Sequence, residues 1–308
     1  LKALIVTNMW PTAERPAFGR FVADQVRALG RGPGVSVEVF SFAGGGSGAY
    51  LRAAREARRR CGAGGFDVVH AHYGLSAAVA LAVPAEIRAI TLHGSDLAVP
   101  RSRLATLALL RRFEVVAAVS GELASGVPRW AAPRGVSVLP CGVDTDRFRP
   151  ADRGLARRAL GLSESGRYLL LAADPARPEK RADLARALAG AVGYELLTLG
   201  LLAPEVVPQY VNAADAVVVP SDREGFGLAC LEALACDVPV LATPHGVAVE
   251  ALRDVAGCLV AEFDLAAWTE AVLGAPERVA GRAVAERYSA DAMAARVVEA
   301  WRERLGRR

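Results

Sequence analysis

Lysine is almost absent from this chain. Of its 37 basic residues only Lys2 and Lys180 are lysine, and the rest are arginine. An ammonium is a compact charge on a flexible stem and suits a single phosphate oxygen, whereas a guanidinium is a wide planar fork. Lys180, in Asp174-Pro175-Ala176-Arg177-Pro178-Glu179-Lys180-Arg181, therefore stands out as a candidate anion ligand. Lys2 follows the chain start and carries no such weight. Aromatic residues make up 6% and form no stacking platform, so the basic bias alone does not point to nucleic acid. The five cysteines (Cys61, Cys141, Cys230, Cys236, Cys258) are odd in number, scattered and without a Cys-x-x-Cys pair. That usage suits buried thiols in a reducing cytoplasm. No apolar run approaches the ~18–20 residues of a membrane span. Leu4–Thr7 is strand-like and too short for the core of a secretion signal. The expectation is a soluble, cytoplasmic protein. No Gly-x-Gly-x-x-Gly follows the first strand, which argues against a nicotinamide or flavin enzyme, and no Walker-type loop occurs.

The chain has apolar residues in plenty: 53% of 308 residues are hydrophobic, with mean hydropathy +0.26. That length is natural for two domains of ~100–200 residues. Short β-rich runs alternate with helical patterns throughout, the signature of parallel α/β sheets. The strands are expected near Ala3–Thr7, Val35–Phe40, Asp67–His70, Ala89–His93, Val115–Val119 and Val136–Leu139 in the first half. In the second they are expected near Tyr168–Ala172, Glu195–Leu199, Ala216–Val219, Pro239–Ala242 and Cys258–Val260. The proline-bounded stretch Pro140–Pro150 between the two series reads as a linker. Residues 1–148 carry 18 basic and 11 acidic residues, a balance of +7; residues 149–308 carry 19 and 22, a balance of −3.

Glu224-Gly225-Phe226-Gly227-Leu228-Ala229-Cys230-Leu231-Glu232 is the most informative stretch. Two carboxylates bracket a glycine-rich turn that passes into a helix from Leu228 to about Cys236. The free N–H groups of Gly225, Phe226, Gly227 and Leu228 are expected to face the space above the strand end, where they can hold an anion or a hydroxyl-rich ligand. Glu224 can accept from sugar hydroxyls, and Glu232, one turn inside the helix, from a ribose diol. Ligands of open α/β sheets sit at the C-terminal strand ends. Asn8–Gly19, His93-Gly94-Ser95-Asp96, Asp174–Lys180 and Glu224–Glu232 all fall at such ends. Two facing sheets would bring them to one cleft.

Taken together, these motifs resemble retaining glycosyltransferases of family 4, the GT-B group, with a local likeness to teichuronic-acid-type and related cell-surface polysaccharide or glycolipid transferases. The resemblance runs through Thr7-Asn8-Met9-Trp10-Pro11, Phe18-Gly19-Arg20-Phe21, Val69-His70-Ala71-His72-Tyr73-Gly74 and Thr91-Leu92-His93-Gly94-Ser95-Asp96. It continues in Pro140-Cys141-Gly142-Val143-Asp144, Arg177-Pro178-Glu179-Lys180 and the Glu224–Glu232 motif. It implies two facing Rossmann-like parallel-sheet domains: an acceptor domain over 1–148, a nucleotide-sugar domain over 149–288, and a helix over 289–308 crossing back to the first domain. It also implies a metal-independent hexosyltransferase that uses a nucleoside-diphosphate sugar (UDP or GDP) and a hydroxyl acceptor, with no cofactor. Arg177 and Lys180 would grip the diphosphate. Glu232 would bind the ribose. Glu224 and the amides of Gly225, Phe226, Gly227 and Leu228 would hold the transferred sugar. Gly19 would let the first loop approach the pyrophosphate, and His93 would touch the sugar near the reacting carbon. His93, Lys180 and Glu224 are the catalytic candidates.

The phosphate loop departs from the family pattern. Asp174-Pro175 stand where an arginine after glycine is usual, and Arg177 comes later. Asp144-Thr145-Asp146 has the form of a metal-binding Asp-x-Asp but lies in the linker, so no metal site is expected. His70 and His72 are expected to point to opposite faces of their strand end, in packing roles. Two rival functions share the motifs: a sugar-nucleotide epimerase and a non-catalytic sugar-nucleotide-binding module. The positive first half suggests docking on an anionic membrane to reach a lipid-linked acceptor. The candidate surface comprises Arg52, Arg55, Arg58, Arg59 and Arg60, with Arg101, Arg103, Arg111 and Arg112 around Leu104, Leu107, Leu109 and Leu110.

Overall fold

The computed structural model describes residues 1–200 and 202–307, which form two compact units. Leu1–Gly142 and the C-terminal stretch from Ala290 make the first, and Val143–Ser289 the second.

In the first unit six parallel strands, β1 (Lys2–Thr7), β2 (Ser36–Ser41), β3 (Phe66–His72), β4 (Ala85–Leu92), β5 (Val115–Ala118) and β6 (Ser137–Val138), run in the order β2-β1-β3-β4-β5-β6. The second has five parallel strands, β7 (Tyr168–Leu171), β8 (Glu195–Thr198), β9 (Ala216–Val219), β10 (Val240–Ala242) and β11 (Leu259–Val260), in the order β11-β10-β9-β7-β8. Each strand foreseen in the sequence is present. The largest shift is at β4, which begins at Ala85 and not Ala89. Glu86 and Arg88 interrupt the apolar run there, and Arg88 is held by Glu114 and the Val83 carbonyl.

Side-chain alternation divides the first core between two faces. Leu4, Val6, Val69, Ala71, Ile90 and Leu92 face one layer of helices. Ala3, Ile5, Val68, Ile87 and Ala89 face helices Arg20–Arg31 and Ala290–Leu305, which contribute Val22, Leu29, Met293, Val297 and Trp301. Both faces are covered, as a parallel sheet requires. Each fully buried Leu or Ile side chain contributes roughly 1.5–3 kcal/mol of transfer free energy.

The same alternation corrects the expectation for His70 and His72. Residues two apart on a strand share a face, and the two rings are stacked, 4.7 Å between centroids and 19° between planes. Helix Pro100–Leu110 brings a second correction. Leu107 and Leu110 are buried against the sheet, so of the leucines proposed as a membrane stripe only Leu104 is fully on the surface, 68% exposed. No helix among the described residues is long and apolar enough to cross a membrane.

Candidate functional site

In the second unit β7 and β9 are neighbours, so the segments leaving their C-terminal ends lie side by side. After β7 comes the 3₁₀ turn Pro178–Lys180, and after β9 the loop leading to Glu224. The two are tied together by backbone and side chains. Asp222 N–H donates to the Glu179 carbonyl at 3.0 Å. Arg181, in the left-handed region at φ 51°, donates to Asp222 and Asp183. Lys180 Nζ donates to Glu224 Oε1 at 2.5 Å, and Ser221 Oγ donates to the same oxygen at 2.7 Å. Lys180 and Glu224 are only 14% and 12% exposed, so this pair is far less screened than a surface ion pair. Glu224 Oε2 has no partner among the described residues.

Gly227, at φ 85°, opens helix Leu228–Ala235 with no side-chain cap. The backbone amides of Gly225, Phe226, Gly227 and Leu228 meet no acceptor among the described residues. They are the orphan donors of a helix start, where partial positive charge also accumulates. The loop after β10 holds this turn in place. Val247 N–H donates to the Phe226 carbonyl at 2.7 Å, and Thr243 Oγ1 to the Ser221 carbonyl at 2.6 Å. Gly246 packs so closely that a Cβ there would lie 2.4 Å from the Phe226 oxygen. Glu232 sits one turn into the helix, partly buried. Arg177 is exposed and turned onto Glu179 Oε1 through Nε and Nη2, at 3.0 and 2.6 Å. Burial pushes the thiols of Cys230 and Cys236 up, the latter to about 12, so neither is a thiolate nucleophile at neutral pH.

In the first unit the chemistry-bearing residues follow β1, β3 and β4, which are adjacent strands. Gly19 caps helix Arg20–Arg31 at φ 69°, and a Cβ there would lie 2.3 Å from the Met9 carbonyl. The loop and helix can therefore meet only at glycine. His93 follows β4, with its ring against Phe21 at 4.8 Å. Its backbone is held by Asp96, a fully buried carboxylate that accepts the amides of His93, Gly94 and Gly74, the last at 2.7 Å. Burial raises the Asp96 carboxyl above its ordinary range, and those amides oppose the rise. His93 Nε2 contacts His72 Nδ1 at 3.0 Å. Burial, and then the neighbouring His72, holds the His93 ring well below the usual imidazole range, so it is neutral at pH 7.

The fold thus brings Lys180, Glu224 and the Gly225–Leu228 amides together in the second unit, with Glu232 on the same helix. His93 and Gly19 lie on the first. Sequence reasoning missed Ser221, the part played by Asp96, and Gln25, a buried residue of helix Arg20–Arg31 whose Nε2 lies 3.3 Å from His72 Nε2. Asp96 stood within a motif already noted; Ser221 and Gln25 gave no local signal.

The two parallel-sheet units have the GT-B architecture. Residues 14–147 match the model of Glycosyltransferase Family 4, and residues 163–278 that of Glycosyl transferases group 1. The D-inositol 3-phosphate glycosyltransferase of Actinosynnema mirum is 33% identical over 72% of this chain and 68% of its own length. That of Geodermatophilus obscurus is 34% identical over 68% and 59%. The sucrose-phosphate synthase of Thermosynechococcus elongatus shares the fold, with TM-score 0.77 at 20% identity over 100% of this chain and 99% of that one. The chain belongs to glycosyltransferase family 4 and is a glycosyltransferase. These relatives carry an inositol-phosphate description, not the narrower teichuronic-acid likeness suggested by the motifs.

Proposed function

We propose that this protein is a retaining, metal-independent transferase that moves a sugar from a nucleoside-diphosphate donor to a hydroxyl acceptor. The observation that carries this reading is the Lys180–Glu224 pair beside four unsatisfied amides. As the bond between sugar and diphosphate breaks, negative charge grows on the leaving group and positive charge on the sugar. Lys180, assisted by Arg177, stabilises the diphosphate, and the Gly225–Leu228 amides and Glu224 hold the sugar. Glu232 binds the ribose. The first unit supplies His93 to the sugar and Gly19 to the pyrophosphate. No protein group is placed as a nucleophile. The leaving phosphate oxygen takes the acceptor proton in a same-face displacement.

A thermal-shift screen of UDP-, GDP- and ADP-sugars tests the donor. A ligand at 100 times its Kd stabilises the native form by about 2.7 kcal/mol. The productive donor should then yield, with acceptor and in excess EDTA, a glycoside of unchanged anomeric configuration by NMR. Epimerised donor without acceptor, or activity lost in EDTA and restored by Mg²⁺, would overturn the reading.

The relatives' description favours a phosphorylated polyol as acceptor, and the charge of the first unit suits an anion: 22 basic residues against 12 acidic. The same surplus supports docking on an anionic membrane surface to reach a lipid-linked acceptor. Arg52, Arg55, Arg58, Arg59 and Arg60 are exposed on helix Ser47–Cys61 beside Leu51, and Arg101 and Arg103 beside Leu104 and Val99. Each basic residue near such a surface contributes about 1 kcal/mol at modest salt. Vesicle co-sedimentation should show retention that requires anionic lipid, weakens with salt and falls when Arg58, Arg59 and Arg60 become glutamine. Equal retention on neutral vesicles, or none on either, would leave a soluble acceptor.

A further inference from the structure

Behind His93 lies a line of buried side chains that the proposed chemistry does not use. His70 and His72 are fully buried on β3, stacked on one another, and His70 meets the Trp301 indole edge-on at 5.6 Å. His70 Nε2 contacts Thr91 Oγ1 at 2.8 Å. His72 uses both ring nitrogens. Its Nε2 lies 3.3 Å from Nε2 of Gln25, a buried residue of helix Arg20–Arg31, and its Nδ1 lies 3.0 Å from His93 Nε2. His93 Nδ1 has no partner among the described residues and is not one of the buried unpartnered atoms, so it reaches accessible space.

With the Gln25 amide nitrogen facing His72, this contact order has one consistent proton assignment for neutral rings. A neutral imidazole carries one donor and one acceptor nitrogen, and an amide nitrogen only donates. Gln25 Nε2 donates, so His72 Nε2 accepts and the His72 proton sits on Nδ1. His72 Nδ1–H then donates to His93 Nε2, which leaves the His93 proton on Nδ1, the open position.

We propose that Gln25 acts through His72 as a positioning residue, fixing the tautomer of His93 so that His93 presents an N–H donor to the donor sugar. The proposal rests on the assignment of His93 to the sugar made above. A ring free to exchange tautomers would offer the sugar a bare nitrogen part of the time. A ring fixed by a buried hydrogen-bonded chain does not, and its orientation is set by the same contacts. Packing alone requires neither an amide at position 25 nor a hydrogen bond between the two rings.

The test pairs spectroscopy with kinetics. In ¹⁵N-histidine-labelled protein, two-bond ¹H–¹⁵N spectra should show His72 and His93 each protonated at Nδ1. Gln25→Glu supplies only acceptors, so both protons should move to Nε2. Turnover should then fall about 10- to 100-fold, the range for loss of one hydrogen bond that strengthens in the transition state. Binding of the free nucleoside diphosphate, which lacks the sugar, should be unchanged. Gln25→Met, which buries no charge, should give mixed tautomers and a smaller loss, and serves if the glutamate variant does not fold. A wild-type His93 protonated at Nε2, or reversed tautomers with unchanged turnover, overturns the relay. His93→Ala with wild-type turnover removes His93 from the reaction altogether, which separates failure of the functional reading from failure of the relay.

Discussion

Replacing Lys180 with alanine is expected to lower kcat/KM for the donor by roughly 30- to 1,000-fold, equivalent to about 2–4 kcal/mol of transition-state stabilisation. Its ammonium is the one lysine charge at the strand ends of the second unit, and the leaving diphosphate gains negative charge as the sugar departs. The geometry adds a complication. Lys180 also neutralises Glu224, so among the described residues the alanine variant leaves a mostly buried carboxylate supported only by Ser221. Lys180→Ala combined with Glu224→Gln removes that charge. The double variant should regain thermal stability over Lys180→Ala without regaining turnover, and the coupling between the two sites should be at least ~0.5 kcal/mol. Lys180→Arg should also be impaired, because a planar fork does not fit the position of a point charge. Steady-state kinetics on these variants decide the matter, and wild-type rates in Lys180→Ala would remove it from the site.

Asp215→Ala should instead damage stability. Asp215 precedes β9, at the opposite end of the sheet from Lys180 and Glu224. Its Oδ1 accepts from Arg153 at 3.1 Å and Arg167 at 3.2 Å, and its Oδ2 from Arg157 and the Tyr168 amide, both at 2.8 Å. Arg157 is 6% exposed at its side chain, and its Nε and Nη1 donate to the Ala213 and Glu164 carbonyls. Removing one partner of a buried pair leaves an uncompensated charge and costs roughly 3–5 kcal/mol. At about 2–4 °C per kcal/mol for a domain of this size, the second unit should melt roughly 6–20 °C earlier by calorimetry. A Tm within about 2 °C of wild type, the shift expected for less than 1 kcal/mol, would show that the arginines find other partners. Turnover well below the transition should be retained, since the residue lies at the far end of the strands from the proposed chemistry.

Much of this protein is legible in its sequence because the signals are local. Ala3-Leu4-Ile5-Val6 and Ala216-Val217-Val218-Val219 can be little other than strands buried on both faces, and all their residues are at most 7% exposed. Gly225-Phe226-Gly227 before an apolar helix announces a turn, and the helix runs from Leu228 to Ala235, within a residue of expectation. The rarity of lysine singles out Lys180 on composition alone. Residue chemistry and short-range periodicity determined the strands and the glycine turn, and the resemblance of the motifs pointed to the family. Only the tertiary structure decided that Lys180 bonds Glu224, 44 residues away; that Gln25 reaches His72, 47 away; and that Arg153 and Arg157 of one helix and the adjacent Arg167 and Tyr168 converge on Asp215. Those pairings follow from which strands are neighbours and from the face on which each side chain emerges. That is a property of the assembled sheet, and no single stretch of chain carries it.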